Sequence, residues 1–126
     1  MTKKLSYYPP APPMLEAFIE FHRSNLHVYD ELRRLAMQLK RRGYSQYGIK
    51  SLFEVVRWHR ALNTSADDDF KLNNNYGAFY SRILMHFEPQ LKGFFRQRAS
   101  IADDYPLCEM VGRGFLWSIS DETDNN

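Results

Sequence analysis

Asp67-Asp68-Asp69-Phe70-Lys71-Leu72-Asn73-Asn74-Asn75-Tyr76, running on through Tyr80 and Arg82, is the stretch from which the fold can be read. Three acids give way to a lysine, then to three asparagines, then to a helical pattern. Phe79, Tyr80, Ile83, Leu84 and Phe87 recur at steps of three and four, which makes one apolar helix face. The pattern predicts a helix from Asn74 to Phe87. Asn73 or Asn74 is its N-cap, because a short amide oxygen accepts a bond from an unpaired first-turn N–H. One asparagine suffices for a cap. Three beside a lysine are a surplus, and the surplus is the clearest functional signal in the chain.

Working outward, a third helix is expected from Gln46–Ile49 to about Leu62. Leu52, Val55, Val56, His59 and Leu62 form its apolar face, with Phe53 and Trp58 off that face, so burial on two sides is expected. A second helix covers about Val28 to Arg42, striped by Val28, Leu32, Leu35, Ala36 and Leu39 and stopped by Gly43. Arg33, Arg34, Lys40, Arg41 and Arg42 lie away from the stripe. The first helix runs from Pro13, which suits a first turn, to Arg23. Ahead of it, Pro9, Pro10, Pro12 and Pro13 make residues 1–13 an extended arm. Downstream, Glu88-Pro89 breaks the fourth helix and a short turn spans Gln90 to Phe95. Tyr105–Val111 and Phe115–Ile119 are apolar without a clean period, and Gly112 and Gly114 suggest a turn between them. The expectation is therefore mainly α: a compact four- or five-helix domain with a helix-turn-helix-like core over residues 14–100, and a docked C-terminal segment over 101–119 with room for a small hairpin. Residues 120–126 form an acidic tail.

Length and composition agree with one domain. The chain has 126 residues, 44% hydrophobic and 15% aromatic, enough for a core without a disulfide or a metal. Cys108 is the single cysteine and has no internal partner, which fits a reducing compartment. No apolar run reaches the ~20 residues of a membrane span, so the default location is the cytoplasm. The net charge of +2 hides an asymmetry: residues 1–100 sum to +7 and residues 101–126 to −5. A basic body with an acidic tail suits an anionic partner for which the tail competes; a merely solvated surface is the other reading.

A set of residues is shared with a known group. Phe21-His22, Val28-Tyr29-Asp30, Leu32 and Leu35-Ala36 begin it, followed by Gly43, Tyr47-Gly48-Ile49-Lys50, Glu54 and Arg57-Trp58. Asp68-Asp69-Phe70-Lys71-Leu72-Asn73-Asn74-Asn75-Tyr76 with Tyr80 and Arg82 is the strongest piece, and Pro89, Leu91 and Gly93-Phe94-Phe95 close it. Over residues 15–98 the chain resembles a group of small phage- and prophage-encoded proteins of unassigned function. The resemblance implies a mobile-element origin and a bacterial cytoplasmic setting. It implies no activity, cofactor or catalytic residue.

Four chemistries remain to be weighed. In a helix-turn-helix reader the third helix supports and the fourth enters the major groove by its N-terminal residues. Lys71, Asn73, Asn74, Asn75 and Tyr76 sit where that requires, since asparagine pairs with adenine and lysine suits guanine or phosphate. Lys50, Arg57, Arg60 and Arg82 are the expected phosphate holders. Against this, the connection from Leu62 to Asn74 exceeds the usual short turn, and Asp67 to Asp69 would stand near the DNA. The plain alternative is that the asparagines cap a helix and make a turn. Asp69-Phe70-Lys71 with Glu54 is a nuclease-like set for Mg²⁺ and a hydrolytic water, but such sites sit on sheets and this region reads as helical. His22, His27, His59 and His86 are scattered without zinc spacing, and His59 reads as a packed core histidine. Last, Tyr7, Tyr8, Tyr44, Tyr47, Trp58 and Tyr76 supply aromatic anchors for a protein partner, although most aromatics of a small chain fill its core. The sequence therefore points to a non-enzymatic binding protein with no cofactor, contacting nucleic acid through the Lys71–Asn75 helix start. A protein-binding inhibitor or adaptor acting on a host or defence protein is the alternative, and a small Mg²⁺-dependent nuclease the third.

Overall fold

The computed structural model describes residues 11–112, and the chain is mainly α-helical. The helices are α1 (Pro13–Ser24), α2 (Leu26–Arg41), α3 (Ile49–Asn63) and α4 (Gly77–Phe87). Single 3₁₀ turns fill Asn74–Tyr76, Pro89–Leu91 and Ile101–Asp104, and residues 107–112 are helical. No helix among the described residues is long and apolar enough to cross a membrane. The described residues divide into two compact units, residues 27–98 and residues 11–26 with 99–112.

The larger unit carries α2, α3 and α4. Its core is Val28, Tyr29, Leu32 and Ala36 from α2, Leu52, Phe53 and Val56 from α3, and Phe79, Tyr80, Ile83 and Leu84 from α4. The α4 residues are those the periodicity predicts, whereas Tyr29 and Phe53 lie off the predicted stripes and Leu35, Leu39 and Val55 on them are only half-buried. Burying these faces supplies most of the stability of helices this short. Phe53 and Tyr80 meet edge to face with centroids 6.0 Å apart. Gly77 is buried at the start of α4, and a Cβ there would stand 3.2 Å from the Ile49 methyl Cγ2. A larger side chain would push the start of α4 away from the start of α3. The Tyr29 hydroxyl donates to the Glu88 carboxylate at 2.9 Å, tying α2 to the end of α4.

The end of α2 shows why Gly43 is a glycine. Its φ is +98°, a region costly to residues with a Cβ. Its N–H donates to the Lys40 carbonyl at 3.0 Å and the Tyr44 N–H to the Leu39 carbonyl at 3.1 Å. This bond pair is the Schellman ending, which brings the residue after the glycine back toward the last turn. Tyr44 therefore returns to Leu39, and the connection 42–48 folds over the end of the helix rather than extending from it.

In the smaller unit, Leu15, Phe18, Ile19 and His22 of α1 are buried, as are Ala102, Leu107 and Val111. Ser100 and Asp103 form a capping box over the Ile101–Asp104 turn. His22 stacks on Phe18 at 6.0 Å. Burial, and secondarily the charge of Arg23, lowers its pKa to about 4, so it is neutral near pH 7.

Several expectations change. Residues 107–112, half of the suggested hairpin, are helical, and no strand occurs among the described residues. Phe115–Ile119, most of the proline arm and the acidic tail lie outside them. Leu62 and His59 were expected in the core. Both are exposed: among the described residues no element buries the last turn of α3 on that side, and His59 meets only the Glu31 carboxylate at its edge. The deeply buried histidine is His22. Trp58 does not give α3 a second buried face: it is 64% exposed.

Candidate functional site

The two sides of α3 differ in kind. After Asn63 the ten residues 64–73 do not make a tight turn; they return along the helix they have just left. Two arginines one turn apart hold them there. Arg60 grips the Asp68 carboxylate through Nε at 2.9 Å and Nη2 at 3.1 Å, and its guanidinium lies over the Phe70 ring at 4.3 Å. Hydrogen bonding to Arg60 holds the Asp68 carboxyl below its ordinary range. Arg57 donates to the Leu72 carbonyl, to Asn74 Oδ1 at 2.6 Å and to Glu54. A turn from Ser65 to Asp68 reverses the chain, closed by an N–H···O bond of 3.1 Å. Leu72 is buried beneath this strap.

The asparagine run fits this frame. Asn73 Oδ1 accepts the Asn75 N–H at 2.8 Å, so it caps the 3₁₀ turn Asn74–Tyr76, and the α-helix expected from Asn74 begins only at Gly77. Asn74 receives Arg57. Tyr76 is 7% exposed and belongs to the core, a correction to its expected place in a binding surface, because the 3₁₀ turn before α4 rotates the ring inward. Arg82 donates to the Ala78 and Arg98 carbonyls, both at 2.7 Å. Of the nine residues that sequence selects, Arg57, Arg60 and Arg82 hold the chain to itself, and Asn73 and Asn74 shape the turn. Lys50, Lys71 and Asn75 remain exposed, and neither lysine forms an ion pair among the described residues. Of the nuclease-like set, Glu54 pairs with Arg57, and Asp69 to Lys71 lie on the strap rather than on a sheet. Among the described residues no cluster of three or more His, Cys, Asp or Glu could hold a metal.

The opposite side of α3 is open. Ser51, Val55, Trp58 and Leu62 follow one another at steps of four, three and four, and so share a face. Trp58 and Leu62 are 64% and 66% exposed. Beside the first half of this face lies a groove of about 850 Å³. Its floor is Leu35, Leu39, Leu52 and Val55; Tyr44 and Tyr47 form one wall, 50% and 38% exposed, with their rings edge to face at 5.7 Å. Arg41 and Arg42 stand at its end, where α2 finishes. The Tyr47 N–H donates to the Phe94 carbonyl at 3.1 Å, which fixes that wall to the core. Past the groove, His59 and Glu31 link α3 to α2.

The sequence marks Tyr44, Tyr47 and Trp58 as aromatic anchors but does not mark Arg41, Arg42 or Leu62. The available signal was the run Arg41-Arg42-Gly43-Tyr44, where a glycine ending turns two arginines and a tyrosine toward the same place. Against known proteins, no family model, no curated protein and no solved structure matches this chain.

Proposed function

We propose that the chain is a non-enzymatic binding protein whose partner is another protein, docked on the open side of α3. The observation that carries this is Trp58 and Leu62: two large apolar side chains, each about two-thirds exposed, one turn apart on a helix whose Leu52, Phe53 and Val56 are buried in the core. Aromatic side chains on a rigid element lose little entropy on binding and are the usual anchors of interfaces. The tyrosine-walled groove extends the same surface. The resemblance to small phage and prophage proteins supports a host or defence protein in the bacterial cytoplasm as the partner.

A nucleic-acid partner is the second reading. Exposed Lys50, Lys71 and Asn75 and the formal +7 of residues 1–100 favour it. It ranks behind because Arg57, Arg60 and Arg82 already have partners within the chain and Tyr76 is buried. One experiment separates the two. A photo-crosslinking phenylalanine analogue is placed at Trp58 or at Lys71 in expressing cells, and duplex DNA is titrated with the purified protein at several salt concentrations. The protein reading expects a discrete protein adduct from position 58 that Leu62→Ser removes, and none from position 71. No adduct at 58, together with salt-dependent duplex binding that Lys50→Ala and Lys71→Ala weaken, would reverse the order.

A further inference from the structure

The groove has a sign as well as a shape. Among the described residues, Arg33 and Arg34 share the Asp30 carboxylate, Arg57 has Glu54 and Arg60 has Asp68. Among the same residues, Arg41 and Arg42 have no carboxylate within ion-pair distance, and no acidic one lines the groove they border. Arginine presents a fixed fork of donors suited to carboxylates, and two such forks over an aliphatic floor form a mixed surface. The apolar stripe then runs on along α3 from Ser51 to Leu62, roughly 16 Å at about 1.5 Å per residue, which is three turns of a helix.

We infer that this groove and stripe receive an acidic amphipathic helix of the partner protein. Leucine or aromatic side chains at three- and four-residue spacing would fill the groove and lie against Trp58 and Leu62, as in helix-in-groove recognition. Aspartate or glutamate on the flank of that helix would meet Arg41 and Arg42. The floor favours a helix over a nucleic-acid strand, since Leu35, Leu39, Leu52 and Val55 match a leucine side chain and leave only the Tyr44 and Tyr47 wall for a base to stack on. This inference rests on the protein-binding reading and narrows it to one partner chemistry.

The test uses the full chain and synthetic probes. A fluorescein-labelled peptide of about five helical turns carries leucine at i, i+4, i+7 and i+11 with glutamate on both flanks. A second peptide replaces each glutamate with lysine, and a third scrambles the leucine positions. The glutamate peptide should bind at least tenfold tighter than either, more tightly at low salt. Arg41→Glu with Arg42→Glu should invert the charge preference, while Tyr44→Ala or Trp58→Ala should weaken the glutamate peptide about tenfold. Circular dichroism melts establish that each variant is folded. Equal binding of the glutamate and lysine peptides, or a preference that survives the double charge reversal, overturns the inference. So does a dimer in sedimentation that Trp58→Asp dissolves, since the stripe would then serve a second copy of the chain. If position 58 still yields a Leu62-dependent protein adduct while the glutamate peptide does not bind, the acidic-helix inference falls and the protein-binding reading stands. Loss of both removes the reading itself.

Discussion

The two sides of α3 use the same residue types to opposite ends. On the strap side, arginines, acids and asparagines are joined to one another: Arg57 and Arg60, a turn apart, each bond the returning chain. On the groove side, Arg41 and Arg42 have no such partners among the described residues, and Trp58 and Leu62 stand in solvent rather than in the core. Charge content and aromatic content therefore do not mark the surface on which this chain can bind. What marks it is whether each group's hydrogen-bonding and apolar requirements are already met within the fold. A guanidinium with a carboxylate, a carbonyl and an amide around it must give some of these up to engage a phosphate, and each bond given up offsets part of what the new one gains.

The comparison breaks first if the packed side is not packed. Leu84 is fully buried between the helices, so Leu84→Ala should cost about 2–5 kcal/mol in denaturant unfolding. A loss below about 0.5 kcal/mol would mark the site as surface.

Acid provides the next effect. His22, neutral in the fold down to about pH 4 and with an ordinary pKa near 6.5 when unfolded, takes up its proton more readily in the unfolded chain. Stability should be fully present above pH 6.5 and fall as pH drops toward 4, by about 3 kcal/mol in all. His22→Leu should flatten that window in melts taken from pH 7 to 4. The Asp68 contribution lies lower. Its carboxyl is depressed by Arg60, so what it adds is present above its ordinary pKa of 3.8 and is lost only as pH falls further.

The strap should respond more gently. Arg57→Met removes donors to the Leu72 carbonyl and to Asn74 and should cost about 1–2 kcal/mol. Binding of the glutamate peptide should be unchanged, because these bonds face away from the groove. A parallel loss of peptide affinity would mean that the two sides are not independent.

The smallest effect in stability is the sharpest in meaning. Trp58→Ser should shift the unfolding free energy by less than about 0.5 kcal/mol, unusual for a tryptophan, because the ring contributes little to the core. The same change should remove partner binding.

The helices were legible because their stripes are long and regular. Phe79, Ile83 and Leu84 fall inside as their spacing requires, Gly43 ends α2, and Asn73 caps the turn before α4. What the spacing cannot carry is which face of an amphipathic helix has something to lie against. Leu62 and His59 continue the apolar pattern of α3 yet are exposed, and the chain that follows the helix turns back along its other side. The pairing of Arg57 and Arg60 with residues 68–74 was hidden for a related reason. A basic helix followed by acids and amides fits either a DNA-facing surface or a self-bound strap, and only the path of the intervening chain decides between them.

The bond from the Tyr47 amide to the Phe94 carbonyl has a kinetic consequence. It joins a groove wall to a residue buried in the core, across a connection without regular helix, so its amide proton exchanges with solvent only when that wall swings away. Hydrogen–deuterium exchange at this one amide thus measures how often the groove opens. A ligand seated between the tyrosines and α3 should slow it, while one bound at Lys71 should leave it unaltered.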